Sequence, residues 1–206
     1  MFLLAELKQP VQVKPSDFGK DFNSVVESEL NRKFANKVIP GIGLCISVFD
    51  ILQMDDSFII PGDGGSHTPV RFRIIVFRPA IEEVLVGTVK CCSQEGVIVS
   101  MGMFDDILIP SKNLSHPSHF ETEEQVWVWN YPTEEGVHKL FMDVGEKIRF
   151  RVTAETFTDT SPTPSSSNID GTPSVAVVEC DPIVPYKIEG STNETGLGML
   201  SWWGSS

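Results

Sequence analysis

Residues 87–102 read Gly87-Thr-Val-Lys-Cys-Cys-Ser-Gln-Glu-Gly-Val-Ile-Val-Ser-Met-Gly102. Two apolar runs of strand length flank a short polar turn at residues 93–96, a pattern typical of a β-hairpin. Further runs of similar length follow as far as residue 157, and helical spacing of apolar residues is absent from them. The second part of the chain is therefore predicted to form a small all-β barrel.

The first 80 residues show a different pattern, in which one helical segment lies among strands. A strand is predicted over residues 2–13, and a helix start follows at Pro15-Ser16-Asp17. Apolar residues then recur at spacings of three and four from Phe18 to Phe34, which predicts one amphipathic helix of about 17 residues or more. The Pro-Gly pair at residues 40–41 ends this helix, and strands follow it, so a compact α+β unit is predicted.

Arg78-Pro79 marks the predicted boundary between an N-terminal domain at residues 1–80 and a C-terminal domain at residues 81–206. Within the second domain, a polar stretch rich in proline and serine is predicted to form a mobile loop at about residues 158–185. Close to the C-terminus lies the apolar stretch 196–203. Two interpretations of this stretch stay open: it packs back on the folded domains, or it anchors a partner.

The charge of the chain is unevenly distributed. The net charge is −12, with 16 Lys and Arg against 28 Asp and Glu. Residues 1–80 are neutral, so all of the excess acidity lies in the second domain. Such a surface repels phosphate backbones at long range, which excludes tight autonomous binding to duplex nucleic acid. Weak contact with a single strand, delivered by a tethering partner, stays open.

The cysteines and the hydropathy pattern indicate a compartment. The four cysteines are Cys45, Cys91, Cys92 and Cys180. Cys45 and Cys91 lie in apolar runs, and we expect buried free thiols, as in a reducing compartment such as the cytosol or nucleus. No apolar run reaches 18 residues, so no membrane span is expected.

No pattern typical of a catalytic, metal or nucleotide site occurs in the sequence, so neither catalysis nor a cofactor is expected. The glycines at residues 62–65 follow a strand but do not match a phosphate-binding loop, and we expect a turn with positive φ angles that is presented to a partner. Pro117 separates His116 from His119 and disfavours the helical geometry that would direct both imidazoles at one metal ion.

Two sets of side chains in the second domain could contact other molecules. Trp127, Trp129 and Tyr131 share one strand face, either as hairpin core or as a platform for bases or a partner. Arg149 and Arg151 share the face of another strand. These two arginines either pair with glutamates or form a local cationic strip for RNA.

Several motifs together resemble one protein family. The hairpin at residues 87–102 resembles the opening hairpin of an S1-type OB fold. Pro61-Gly-Asp-Gly and Arg73-Ile-Ile-Val-Phe-Arg-Pro79 resemble the linker from the tip domain in the larger stalk subunit of archaeal and eukaryotic RNA polymerases. The stretches similar to the RNA polymerase III version are Phe104-Asp-Asp-Ile-Leu-Ile-Pro110, Glu124-Gln-Val-Trp-Val-Trp129, Met142-Asp-Val-Gly-Glu-Lys-Ile-Arg-Phe-Arg-Val152, Asp159-Thr-Ser-Pro162 and Gly196-Leu-Gly-Met-Leu-Ser-Trp-Trp203. The resemblance covers essentially the whole chain.

The resemblance implies an α+β N-terminal tip domain followed by an all-β S1-like OB-fold barrel. It implies a nuclear, non-catalytic subunit of DNA-dependent RNA polymerase III that supports initiation at small non-coding RNA genes, such as those for tRNA and 5S rRNA. Members of this family pair with a smaller helical stalk subunit and dock on the polymerase core, near nascent RNA and initiation factors. The alternative is a free-standing S1-type factor that binds single-stranded RNA.

The family's architecture directs attention to two groups of residues. Partner contacts are expected in the loop formed by Pro61, Gly62, Asp63, Gly64 and Gly65. RNA contacts are expected at Lys90, Phe104, Arg149 and Arg151, because the middle strands and loops of such a barrel form its binding face. Phe104 is alternatively a turn residue packed on the core. The net charge predicts that RNA affinity is weak and strongly salt-dependent.

Overall fold

The computed structural model describes residues 1–133, 136–160 and 184–203. The chain divides into two compact units, Met1–Ala80 and Ile81–Ser206. Most of the Pro/Ser-rich loop predicted at about residues 158–185 lies outside the described residues, and so does Cys180.

The first unit is an antiparallel sheet with one helix. Its elements are β1 (Phe2–Val13), α1 (Phe22–Phe34), β2 (Lys37–Ile39), β3 (Gly43–Met54), β4 (Phe58–Ile59) and β5 (Ser66–Phe77). The strand order is β1-β5-β3-β2, and β4 also pairs with β5. The long strands β1 and β5 pair along their whole length, from Phe2 opposite Phe77 to Val13 opposite Ser66.

The helix α1 covers one face of this sheet. Val26 and Leu30 of α1 are fully buried in a core that also contains Phe72 and Ile74 of β5. The rings of Phe34 and Phe72 have their centroids 5.6 Å apart. Alternation along β5 directs these apolar side chains at the helix and its charged side chains at the opposite face of the sheet.

The predicted helix was too long at both ends. It begins at Phe22 because Asp21 caps it: the Asp21 carboxylate accepts a hydrogen bond of 3.0 Å from the Ser24 backbone N–H. Residues 15–17 form a separate 3₁₀ turn, and Phe18 lies outside α1. The helix ends at Phe34, because Asn36 adopts a positive φ of 56° and the chain then enters β2.

Five strands of the second unit form a closed barrel. The barrel strands are β6 (Val84–Ser93), β7 (Gly96–Ser100), β8 (Ile107–Pro110), β12 (Lys147–Phe157) and β13 (Tyr186–Ser191). Each strand pairs with the next in the order β6-β7-β8-β13-β12, and β12 pairs back with β6. The β8–β13 pairing is parallel and the others in the ring are antiparallel. This closed five-stranded arrangement is an OB fold, and the predicted α+β and OB architecture is confirmed.

A three-stranded sheet is inserted between β8 and β12. Its strands are β9 (Ser118–Glu121), β10 (Val126–Thr133) and β11 (Gly136–Met142), in the order β11-β10-β9. The C-terminal segment returns to the barrel, since the short strand β14 (Gly198–Met199) pairs with β12. Leu197 and Met199 are buried, which confirms that this apolar stretch packs back on the fold.

The expectation of buried cysteines is met only in part. Cys45 is fully buried, Cys92 is half-buried and Cys91 is exposed, and all three are free thiols. A β-bulge between Val89 and Cys91 shifts the register against β7, so simple alternation does not hold there. No helix in the described part of the chain combines the length and the apolar character needed to cross a membrane.

Candidate nucleic-acid interface

Lys90 lies on the outer surface of the barrel, at the β-bulge in β6. Its Nζ is 2.9 Å from Oδ2 of Asp105, and both side chains are about half exposed. The hydrogen bond to Asp105 raises the pKa of Lys90. The pKa of Asp105 is lowered by a hydrogen bond from the Ser100 hydroxyl and then by Lys90. A phosphate that binds Lys90 must therefore compete with a carboxylate already in place.

Phe104 does not form part of an exposed surface. Its side chain is only 6% exposed, and its ring centroid lies 5.3 Å from that of the buried Tyr186. This position disagrees with the prediction that Phe104 contacts RNA, because a buried ring presents no face to a base. The alternative interpretation, a turn residue packed on the core, describes the arrangement that the structure contains.

Arg149 and Arg151 lie on the outer face of β12, since the alternate residues Ile148 and Phe150 point into the barrel. Arg151 is held between two carboxylates. Its Nη2 lies 2.6 Å from Oε2 of Glu194, and its Nη1 lies 3.2 Å from Oε2 of Glu82. Arg149 donates a hydrogen bond of 3.2 Å to the carbonyl oxygen of Gly196. Pairing with glutamate thus holds for Arg151.

The three cations share one side of the barrel but do not form one cluster. Arg151 and Arg149 stand opposite Val84 and Val86 of β6. Lys90 lies four residues beyond Val86 on the same strand, a distance of about 13 Å at the usual rise per residue. Single-stranded RNA follows such a spacing easily, but the partners of these cations reduce the local positive potential.

The glycine loop of the first unit has the predicted backbone geometry. Gly62 and Gly64 have φ angles of 93° and 70°, which favour glycine. The Asp63 carboxylate accepts hydrogen bonds of 2.9 and 2.8 Å from Nε2 of Gln12, and it lies 2.5 Å from Nε2 of His67. Residues 61–64 are exposed. The loop is therefore held by its central residue, Asp63, while residues 61–64 stay exposed.

The inserted sheet and the C-terminal turn bring aromatic rings together. Trp127 is buried, as expected of hairpin core, whereas Tyr131 at the other end of the same strand is 43% exposed. Trp129 lies between them on the strand, and its ring centroid is 5.0 Å from that of Tyr131 and 5.2 Å from that of Trp202. We call the resulting hollow of about 370 Å³ the aromatic cleft; it is lined mainly by Trp129, Tyr131, His138, Lys139, Trp202 and Trp203.

Sequence reasoning missed the tryptophans at positions 202 and 203 as surface residues of this cleft. The available signal was their unusual density: two of the four tryptophans of the chain are adjacent there. They meet Trp129 only because β14 pairs with β12, a strand about 50 residues earlier in the sequence.

The histidines considered for a metal site have separate partners. Nε2 of His116 lies 3.3 Å from the Lys112 carbonyl oxygen, and Nδ1 of His119 lies 3.2 Å from Nδ2 of Asn130. Among the residues that the structure describes, no group of three or more His, Cys, Asp or Glu side chains could hold a metal ion.

An OB barrel with cations and aromatic rings on its outer surface defines a class of binding protein, whose members contact single-stranded nucleic acid or protein partners. The sequence comparisons are more specific. The family model described as "RNA polymerase III subunit Rpc25" matches residues 83–203. The model described as "SHS2 domain found in N terminus of Rpb7p/Rpc25p/MJ0397" matches residues 10–64. The chain belongs to the Rpc25 family of RNA polymerase III subunits.

Two relatives that match nearly the whole chain are both named DNA-directed RNA polymerase III subunit RPC8, and a more distant one is an archaeal subunit. It is 50% identical to DNA-directed RNA polymerase III subunit RPC8 of Bos taurus, over 100% of both chains. It is 36% identical to the subunit of that name from Saccharomyces cerevisiae, over 98% of this chain and 100% of the relative. It is 24% identical to DNA-directed RNA polymerase subunit Rpo7 of Saccharolobus shibatae, over 74% of this chain and 81% of the relative.

These matches confirm the resemblance to the larger stalk subunits. The chain is a non-catalytic subunit of RNA polymerase III and a member of that polymerase complex. The alternative of a free-standing S1-type factor is not supported, because the matches to polymerase subunits extend over both units of the chain.

Proposed function

We propose that this subunit forms the polymerase stalk as a heterodimer with a smaller helical subunit, and that its first unit docks the pair on the polymerase core. It acts in the nucleus and supports initiation at small non-coding RNA genes, such as those for tRNA and 5S rRNA. Nascent RNA and initiation factors are its further contacts. The family membership and the surface of the first unit support this proposal.

The observation that carries the proposal is the exposed apolar surface of the first unit. Ile59 is 63% exposed, although isoleucine is among the residues most often buried in folded proteins. The other large apolar side chains of this unit with more than 44% exposure are Phe2, Leu3, Leu4, Phe18, Phe49, Leu52, Phe58 and Ile60. So many exposed apolar residues on a small unit are typical of a surface that partners cover.

The glycine loop is assigned to the contact with the polymerase core. The loop formed by Pro61, Gly62, Asp63, Gly64 and Gly65 follows β4 after the exposed Ile60; its first four residues are exposed and Gly65 is buried. The loop is held by hydrogen bonds to its central residue, Asp63, so it loses little conformational freedom on docking.

RNA contact is assigned to Lys90, Arg149 and Arg151 on the barrel. Because Lys90 and Arg151 are paired with carboxylates, RNA must displace those pairs. The affinity is therefore weak and falls strongly with salt. Nanomolar binding of single-stranded RNA at physiological salt would contradict this electrostatic argument.

Co-purification of variants tests the docking assignment. Ile59→Asp places a charge on the exposed apolar surface beside the loop. Burying an unpaired carboxylate in an interface costs more than about 1 kcal/mol of binding free energy, so we expect about tenfold less polymerase to be recovered with the tagged chain. The matched control is Val144→Asp, at a side chain of similar exposure in the second unit. Equal recovery with both variants would remove β4 and the loop from the docking surface.

The same purification tests the heterodimer. Expressed alone, the chain is expected to be poorly soluble, because its apolar surface stays uncovered. Co-expression with the smaller stalk subunit is expected to yield a soluble pair. A soluble monomer that does not bind the smaller subunit would contradict the proposal.

A further inference from the structure

We propose that the aromatic cleft binds bases of single-stranded RNA by stacking, as a second RNA contact of this subunit. The site belongs to the inserted sheet and the C-terminal turn, not to the middle strands of the barrel. It rests on the proposed function only in taking single-stranded RNA as the ligand.

The rings of the cleft are fixed before any ligand arrives. Nε1 of Trp129 donates a hydrogen bond of 3.3 Å to the His116 carbonyl oxygen, and Nε1 of Trp203 donates one of 2.9 Å to that of Leu197. The Trp202 ring lies directly over Gly198, where a Cβ would come within 2.5 Å of Cζ3 of Trp202. Rings held in this way lose little conformational entropy when a base binds.

Two rings of the cleft are exposed to solvent, and the other two are partly exposed. Tyr131 and Trp203 are 43% and 41% exposed, and together with Trp129 and Trp202 they enclose the hollow of about 370 Å³. Core packing explains Trp127, which is buried and donates a hydrogen bond to the Ser93 carbonyl oxygen. It does not explain two large rings that stay open to solvent at the far end of the same cluster.

The charges around the cleft favour a nucleic acid over an apolar protein segment. Lys139 lines the cleft. Arg149 stands opposite Gly198 in the β12–β14 ladder, next to the backbone on which the Trp202 ring lies. Aromatic faces flanked by cations are the usual means by which proteins bind single strands. The nearby Glu146, which accepts a hydrogen bond from Ser201, limits the affinity.

The β12–β14 pairing places Arg149 beside the cleft, although Arg149 is not part of the cleft lining. Arg149 links the strip on the barrel with Trp202, and the rings lead on from Trp202 to Trp129 and Tyr131. A single strand whose phosphates contact Arg149 can place its following bases in the cleft.

Fluorescence anisotropy tests the proposal with a labelled 12-nucleotide oligouridylate and the purified full chain, together with the smaller subunit where the two co-purify. Tyr131→Ala is expected to raise the Kd at least about fivefold, equivalent to about 1 kcal/mol for one lost stacking contact. Its salt dependence should stay as in the wild type. Lys139→Ala should reduce the slope of log K against log salt by about 0.7. Phe141→Ala removes an exposed ring of β11 that is not part of the cleft lining, and it should change neither quantity.

Cross-linking locates the contact in the same preparation. With 4-thiouridine in the RNA, we expect adducts in the peptides that contain Tyr131 or Trp203. No binding by the wild-type chain, or equal Kd values for the wild type, Tyr131→Ala and Lys139→Ala, would overturn the proposal. A further outcome would overturn the proposal as well. If polymerase purified through the tagged Tyr131→Ala chain lacks a subunit that the wild-type chain recovers, the cleft binds protein. None of these outcomes depends on the recovery of polymerase with Ile59→Asp, which tests the proposed function.

Discussion

Gly87 shows how a single residue permits the barrel to close. A Cβ at this position would lie 2.4 Å from Cγ1 of Val99 and 3.6 Å from Cε1 of Phe150, in the packed interior. The first of these distances is far below a van der Waals contact, so only glycine lets β6 approach its neighbours so closely. The same close approach explains why a glycine stands in the strand pattern of the first hairpin.

Gly87→Ala is expected to destabilise the second unit by about 1–3 kcal/mol, because the added methyl group overpacks the core. Urea unfolding of the full chain measures the change. Gly19→Ala is the matched control, since a Cβ at Gly19 meets nothing within 4 Å. Equal midpoints for the two variants would show that the barrel absorbs the methyl group without strain.

Cys45 and Cys91 are expected to differ in the reactivity of their thiols. Burial raises the pKa of Cys45, whereas Cys91 is exposed. In the native chain at neutral pH, iodoacetamide should therefore modify Cys91 at least about tenfold faster than Cys45, since the reaction needs an accessible thiolate. Peptide mass spectrometry follows the two rates. Modification of Cys45 at the rate of Cys91 would contradict the packing of the first core.

At the scale of elements, strands were easier to predict than the helix. Alternation in β5 and β12 identified both strands and the side chains that face the core, because a strand repeats every two residues. The helix was overestimated because Phe18 and Phe22 happen to keep a helical spacing across the turn that precedes Asp21. A capping residue is a local signal, but Pro15-Ser16-Asp17 presents the same signal shortly before Asp21.

Pairings between distant segments explain what the sequence could not indicate. The bulge that exposes Cys91 is a property of the β6–β7 pair, and a single strand does not encode it. The aromatic cleft likewise needs β14 to reach β12 before Trp202 can meet Trp129. Local patterns correctly placed Lys90, Arg149 and Arg151 on the outer surface, whereas Phe104 is buried because a turn residue can pack inward. Their contact with RNA stays a prediction.

Asp21→Ala tests the start of α1. Loss of the cap should destabilise the first unit by about 1 kcal/mol, because the backbone N–H of Ser24 loses its acceptor. Hydrogen bonds from Ser24 lower the pKa of Asp21, so the cap is intact above the ordinary pKa and is lost as pH falls through the lowered value. Thermal unfolding at neutral pH measures the effect, and Asp56→Ala is the control at another exposed aspartate. An Asp21→Ala chain as stable as the control would rule out the cap.

Arg149→Ala together with Arg151→Ala tests the outer face of β12. RNA cross-linking to the subunit should fall severalfold, while the heterodimer stays folded, because exposed ion pairs such as those of Arg151 contribute only about 0–1 kcal/mol. Lys112→Ala, at an exposed lysine outside β12, is the control. If cross-linking is unchanged in the double variant, these arginines are not RNA contacts.

For the whole molecule, the net charge lies in the second unit, and exposed apolar side chains are denser on the first. Among the described residues, the neutral and smaller first unit carries eleven of the twenty exposed large apolar side chains, and the excess of acidic residues belongs to the second unit. The first property suits a protein that is stable only with its partners, and the second limits the binding of nucleic acid to weak contacts. Both agree with a subunit whose role is to position other molecules in a polymerase.

Affinity purification of the tagged full chain from its own cells, followed by quantitative mass spectrometry, tests that role most directly. The account predicts that the large catalytic subunits of RNA polymerase III and one smaller stalk subunit are recovered in amounts close to that of the tagged chain. Recovery of the chain without polymerase subunits would contradict it.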